Sequence, residues 1–317
     1  MRTRSVRVFR NSKHRVCPNQ GSNSISVVAV TYNEVSFDLP HIQLKGLRGG
    51  TPGKPLLLLL HGWLDNCHSF LPLLSEPELA DYDWIALDFA GHGHSSHRGA
   101  DAAYYFVDYM YDVQALIEQQ GWQHLHVVGH SMGGYVGQLL GACFGERIAS
   151  LVTIEAFGLV TGEPEQTLQL LRDGYTSRQK QFGRELPTYK DLNHLIQARA
   201  KAGDFPPELA ELLLRRNLTH TEAGFCWRTD PRVRTTSPFR FTQQHVPSVL
   251  QALQMPVQVV LGEDGHAQLP DALAQWGAHV QQLSVVQVAG GHHAHMQSPR
   301  SVAQAIRAHL DTSNMHD

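Results

Sequence analysis

The 317-residue chain has only four cysteines (Cys17, Cys67, Cys143 and Cys226), with no Cys-x-x-Cys pair and no metal-ligand spacing among them. That excludes a disulfide framework, and the thiols read as reduced, as in a cytoplasmic protein. No apolar stretch reaches the roughly 18 residues that a membrane-spanning helix needs. Charge of one sign is also lacking. With 26 Lys and Arg against 29 Asp and Glu, the net charge is −3, so no global field draws the chain to nucleic acid or an anionic membrane. Repeats and low-complexity tracts are missing too. One shortage is local: no acidic residue precedes Glu34, while Arg2, Arg4, Arg7, Arg10, Lys13 and Arg15 crowd the start. The apolar stretch 25–30 is short and poorly placed for a secretory signal, so residues 1–30 read as a basic, disordered tail.

What is present is a core-forming pattern. Hydrophobic residues make up 42% of the chain, enough for one large domain with an insertion. Residues 30–39 and 41–47 alternate apolar and polar around Pro40, predicting a hairpin. Residues 55–60 form a solid apolar run of the kind buried on both faces of a parallel sheet. Further strands are predicted at 84–89, 124–128, 150–156, 256–261 and 283–288, with helices at 104–120, 135–144, 270–278 and 301–310 between or after them. Strands alternating with helices imply a doubly wound, mostly parallel α/β sheet. The alternation breaks between about 158 and 253. Helices are expected there at 165–172, 189–202 and 207–216, and no long strand. The expected organisation is a core of residues 31–157 and 254–312, with a helical cap, 158–253, inserted.

The run Val127-Val128-Gly129-His130-Ser131-Met132-Gly133-Gly134 ends a predicted strand and opens a predicted helix. Its Gly-x-Ser-x-Gly pattern suits a tight, strained turn that lifts a hydroxyl clear of the sheet and aims a helix N-terminus at an oxyanion. A serine nucleophile needs a base, and the base needs an orienting group. Gly290-Gly291-His292-His293-Ala294-His295 follows the last predicted strand, on the same sheet edge. His292, directly after the Gly-Gly turn, is the candidate base. The chain has 20 histidines, so a surface or metal-binding role for this loop is the competing reading, weakened by the apparent lack of a partner cluster with ligand spacing. The backbone amides of Met132 and Trp63 are the candidate oxyanion donors. Trp63 also reads as a core aromatic, and both roles are compatible.

Four segments in order carry a resemblance: His61-Gly62, Asp88-Phe89-Ala90-Gly91-His92-Gly93, Gly129-x-Ser131-x-Gly133 and Gly291-His292. Over about residues 31–312 the chain resembles the α/β-hydrolase-fold serine hydrolases, which implies an eight-stranded sheet. His61 to Asn66 with Ser69-Phe70, and Asp88 to Ser96, resemble the group called serine hydrolase-like proteins. The resemblance implies no cofactor. Ser131 argues against the haloalkane dehalogenases and epoxide hydrolases of similar fold, whose nucleophile is an aspartate. The chain departs from the family pattern at the acid. Most members carry an Asp three residues past the glycine that is Gly262 here, and that position holds Gly265. Two carboxylates compete for the role. Glu155 ends the strand after the nucleophile helix, 24 residues beyond Ser131 (155 − 131), where some relatives place their acid. It is preferred because a carboxylate at the tip of a buried strand has few structural uses. Asp264 is the alternative, on a shifted loop.

Three further features read structurally first. His92, His94 and His97 shape a turn. Phe225, Trp227, Phe239 and Phe241 pack the cap or line an acyl pocket. Arg228, Arg232, Arg234 and Arg240 form a solvated face or meet an acidic substrate group. The resulting expectation is a cofactor-free, metal-free esterase acting on a small ester or thioester through an acyl-enzyme. Acyl transfer, C–C bond hydrolysis and non-catalytic ligand binding are the alternatives. The substrate itself and the oligomeric state are not readable.

Overall fold

The computed structural model describes residues 30–181 and 186–313. The expected basic tail of residues 1–30 lies outside the described residues but for Val30. The chain opens with an antiparallel hairpin, β1 (Tyr32–Asp38) and β2 (Gln43–Gly50), followed by β3 (Leu56–Leu60), the short α1 (Leu71–Leu74) and β4 (Asp83–Asp88). Next come α2 (Phe106–Gln120), β5 (Leu125–His130), α3 (Met132–Phe144) and β6 (Ile148–Ile154). A long excursion carries α4 (Thr167–Gln179), α5 (Leu192–Gly203), α6 (Pro207–Asn217), β7 (Leu218–Thr221), β8 (Gly224–Trp227) and α7 (Val246–Gln251). The sheet then resumes with β9 (Val257–Asp264), α8 (Leu269–Trp276), β10 (Leu283–Gly291), α9 (Ala294–Gln297) and α10 (Pro299–Ser313).

Eight strands form one sheet in the order β1-β2-β4-β3-β5-β6-β9-β10, parallel from β4 onward. The side-chain period of two explains why β3 can be five leucines. Leu58 and Leu60 enter the core under α2 and α3, while Leu57 and Leu59 enter the opposite core under α1 and α10. Burying both faces removes any need for polar alternation. In β1, by contrast, Val35 and Phe37 turn inward and their neighbours stay wet.

Between β6 and β9 no long strand stands among the described residues, as expected, but the short β7 and β8 pair as an antiparallel hairpin. Four residues per strand give too short an alternation to register in the sequence, and Gly224 at φ 129° opens β8 directly after the two-residue turn. Helices α5 and α6 share a small core of their own around Leu195, Phe205, Leu209 and Leu213.

This segment is tied to the sheet by a buried arginine. Arg216 of α6 is 1% exposed and donates to Asp88 Oδ2 (2.7 Å) and Glu34 Oε1 (2.6 Å). Asp88, at the end of β4, also accepts the amides of Cys67 and His94, both at 2.9 Å. Burial alone would push its carboxyl up, but Arg216, His61 and the amide donors outweigh it and hold Asp88 near about 2. Arg216→Met leaves that carboxylate buried and unpaired, and is expected to lower unfolding stability by about 3–5 kcal/mol in urea titrations. A group depressed from 3.8 stabilises the fold above that value and loses the contribution as pH falls through about 2. Wild-type stability should therefore drop across that acid window, and the Arg216→Met variant should lack most of this component.

Candidate active site

Ser131 stands between β5 and α3 at φ 48°, ψ −115°, a conformation a non-glycine residue holds only under constraint. The constraints are visible. Its N–H donates to the Ile154 carbonyl (2.8 Å), and its own carbonyl accepts from Gly134 N (2.9 Å). A Cβ on Gly129 would meet the Gly133 carbonyl, and one on Gly133 would meet the Leu60 carbonyl. The two glycines are what allow the turn to close and α3 to abut the end of β3. Met132 is the first residue of α3, so its amide has no helical acceptor. From the end of β3 the chain reaches Trp63, whose backbone N–H has no hydrogen-bond partner among the described residues. The neighbouring turn is held by His61, a ring neutral by virtue of burial and bonding. Its Nε2 accepts from Phe89 N (3.0 Å), leaving Nδ1 to donate to the Gly62 carbonyl (2.7 Å).

His292 follows β10, as expected for the base, and its Nδ1 lies 3.4 Å from Glu155 Oε2. Glu155 is 1% exposed, directly after β6, and like Ser131 has a positive φ, 55°. Its carboxylate also accepts Gly262 N and His266 N, both at 2.8 Å. Burial pushes this carboxyl up. The His292 bond and the two amides outweigh it, so Glu155 is held below its ordinary value and ionised. Burial pulls the His292 imidazole below 6.5, against the Glu155 bond that raises it. The other candidate acid, Asp264, is exposed at the end of β9 and makes no hydrogen bond to His292 among the described residues. Gly265 explains the departure from the family pattern. A Cβ there would run into the Glu155 carboxylate, so an acid at 155 and a side chain at 265 compete for one space. Among the described residues, Ser131 Oγ makes no hydrogen bond to His292, whose bonded ring nitrogen is Nδ1 on Glu155.

Behind His292 lies a cluster the sequence did not announce. His130, fully buried, donates Nε2–H to the His292 carbonyl (2.8 Å) and turns Nδ1 toward Asp65 Oδ2 (3.6 Å). Asp65 also meets His293 Nε2 (3.3 Å) and Arg199 of α5 (2.5 Å). Burial pushes Asp65 up, but His293, His130 and Arg199 together hold it well below the carboxylate range. The expectation that the His-rich loop has no partner cluster is thus corrected: Asp65, His130 and His293 have ligand-like spacing, as do Glu155, His266 and His292. Residues 228 positions apart meet because β3 and β10 end on the same edge, which no local spacing reveals. In the first group Arg199 already neutralises Asp65, so a divalent ion would add uncompensated buried charge. In the second, His292 spends Nδ1 on Glu155.

The remaining sequence candidates resolve case by case. His92 is buried with Nδ1 on the Ala90 carbonyl (3.1 Å), a turn-shaping residue. Trp63 is 51% exposed rather than a core aromatic, and its Nε1 donates to the Val233 carbonyl (3.0 Å). Phe225 and Trp227 pack on the α5–α6 core and Phe241 on the main core, whereas Phe239 is exposed. Cys67, Cys143 and Cys226 are free thiols. Among the described residues, no helix is long and apolar enough to cross a membrane.

Residues 55–299 match the family described as alpha/beta hydrolase fold. The chain is 29% identical over 293 residues to the serine hydrolase-like protein of Danio rerio, covering 86% of this chain and 87% of that one. It is 27% identical over 303 residues to the human serine hydrolase-like protein 2, covering 89% and 95%. Among solved structures, a hypothetical protein of Pseudomonas aeruginosa PAO1 superimposes with a TM-score of 0.81 at 36% identity, covering 88% of this chain and 99% of that one. A thioesterase domain from the curacin biosynthetic pathway shares the fold at a TM-score of 0.77 and 22% identity. With the strained serine turn, the mostly parallel eight-stranded sheet and these likenesses together, the chain belongs to the α/β-hydrolase fold family and resembles its serine hydrolase-like group.

Proposed function

We propose that the protein is a cofactor-free serine hydrolase that cleaves a small carboxylic ester or thioester through an acyl-enzyme, with Ser131, His292 and Glu155 as its triad. The observation that carries this reading is the Glu155–His292 contact on the sheet edge where the strained turn presents Ser131. Ser131 Oγ attacks the carbonyl carbon while His292 Nε2 takes the hydroxyl proton. Glu155, ionised and fixed by two amides, holds Nδ1–H and favours the imidazolium that forms. The Met132 and Trp63 amides receive the oxyanion. His292 then gives the proton to the departing alcohol or thiol, and a water, activated by the same imidazole, releases the acid. The segment 158–253, standing over this edge as a cap, supplies the substrate contacts.

A fluorophosphonate probe tests the reading, because it reports the activated serine without knowledge of the substrate. Wild-type protein should be labelled on Ser131, and Ser131→Ala should not be labelled at all. Folded wild-type protein that stays unlabelled would favour the ligand-binding use of this fold.

A further inference from the structure

Most arginines between β6 and β9 have their donors engaged. Arg199 bonds Asp65, Arg216 bonds Asp88 and Glu34, Arg228 bonds the Leu218 carbonyl, and Arg232 bonds Asp230. Arg234 differs. Its guanidinium has no acceptor among the described residues and lies over the Trp63 indole, with Cζ 5.9 Å from the ring centroid. The charged and titratable groups facing it are Arg199, which repels it, and Tyr189. Burial and, after it, the Arg199 charge push the guanidinium below its ordinary value, although an arginine stays protonated. Arg234 is itself exposed, a solvent-accessible cation held beside another cation with no carboxylate in reach among the described residues.

The platform under Arg234 is rigid. Asp230 N donates to the Gly91 carbonyl (2.9 Å), and Tyr104 donates its hydroxyl to Asp230 Oδ2 (2.8 Å). Arg232 clamps the same turn onto the carbonyls of Arg98 and Gly99, each at 2.7 Å. The Trp63 indole N–H closes the other side on Val233. Stacking uses the flat face of the guanidinium and leaves its N–H edge free for a planar, two-oxygen acceptor. Because the turn is already ordered, little entropy opposes such a contact. The indole beneath it belongs to the residue whose own amide is the proposed second oxyanion donor.

We propose that Arg234, seated on Trp63, receives a carboxylate carried by the substrate, so that the enzyme prefers half-esters or half-thioesters of dicarboxylic acids to neutral ones. The proposal rests on the serine hydrolase reading above and adds the substrate class. The test uses the full chain and p-nitrophenyl half-esters from glutarate to suberate, each paired with its terminal carboxamide, which has the same shape and no charge. Wild type should favour the acid over the carboxamide in kcat/KM by roughly 10- to 100-fold at the best length, the size expected of a charge-assisted bidentate pair. Arg234→Gln should collapse that ratio toward one, Arg234→Lys should keep part of it, and Arg234→Glu should invert it. Because each ratio is taken within one variant, a partly folded sample does not mimic the result. The free dicarboxylate should also raise the Tm of wild type and not that of Arg234→Gln. This binding readout stands even without turnover. A wild-type ratio at or below one at every length, or an unaltered ratio in Arg234→Gln, overturns the carboxylate site. If Ser131 takes the fluorophosphonate while that happens, the hydrolase reading survives it. If the probe fails and no dicarboxylate shifts the Tm, both fall.

Discussion

Glu155→Gln should lower kcat by about 10⁴, the loss seen when the orienting acid of a serine triad becomes its amide. Asp264→Asn should leave kcat within a factor of about two, since that exposed carboxylate does not touch the imidazole. The amide at 155 nearly preserves shape, but it removes the charge that favours the His292 imidazolium. It also presents an N–H where the Gly262 and His266 amides now donate. The pH profile separates a catalytic loss from general damage. His292 must be neutral to act, and burial places it below 6.5, so the acid limb of wild-type kcat/KM should have its midpoint below that value. Removing the Glu155 charge takes away a contribution that raises the imidazole, so the limb should move further toward acid in Glu155→Gln. A large loss in Asp264→Asn instead, with Glu155→Gln nearly intact, would reassign the acid.

Gly265→Asp should be nearly as damaging, with a loss of about 10³-fold or more, although it adds a carboxylate where relatives of similar fold carry one. The new Cβ enters the space of the Glu155 carboxylate, and two like charges would share one pocket. Gly265 is not among the positive-φ glycines, so its backbone accepts a side chain; the obstacle is Glu155 itself. Vacating position 155 should therefore restore activity. Glu155→Gly is the apt partner, because φ there is 55° and an alanine would be strained. The double variant Glu155→Gly/Gly265→Asp should exceed Glu155→Gly alone in kcat by at least tenfold, which is partial recovery of the orienter. A double variant no faster than Glu155→Gly would show that a carboxylate cannot reach His292 from residue 265.

The parts of this fold that could be read beforehand are those written in local periodicity. The leucine run of β3, the alternation in β1 and the glycines around Ser131 each reflect a backbone or burial demand met within a few residues. Glu155 was legible for a related reason, since a carboxylate ending a buried strand is anomalous wherever it occurs. Asp65 with Arg199 and Asp88 with Arg216 were not, because their partners are 134 and 128 positions away and any carboxylate would look the same in the sequence. The Gly-His-Ser context of His130 was in plain view, yet its bond to the His292 carbonyl depends on how β5 and β10 end, not on what flanks it. The role of Arg234 likewise emerges only once Arg228 and Arg232 are seen to be occupied.

Arg199 and Arg216 sit on adjacent helices, α5 and α6, and each meets a carboxylate at or beyond the end of a different strand of the sheet. The segment between β6 and β9 is therefore tied to the sheet at two points through these helices. Swinging it away as a rigid lid would strip both Asp65 and Asp88 of their counter-charges at once. By contrast, α4 buries only Gly174 and leaves Leu168, Leu171 and Tyr175 at least half exposed. The segment is therefore held unequally, by two buried ion pairs through α5 and α6 and by an α4 that buries only Gly174.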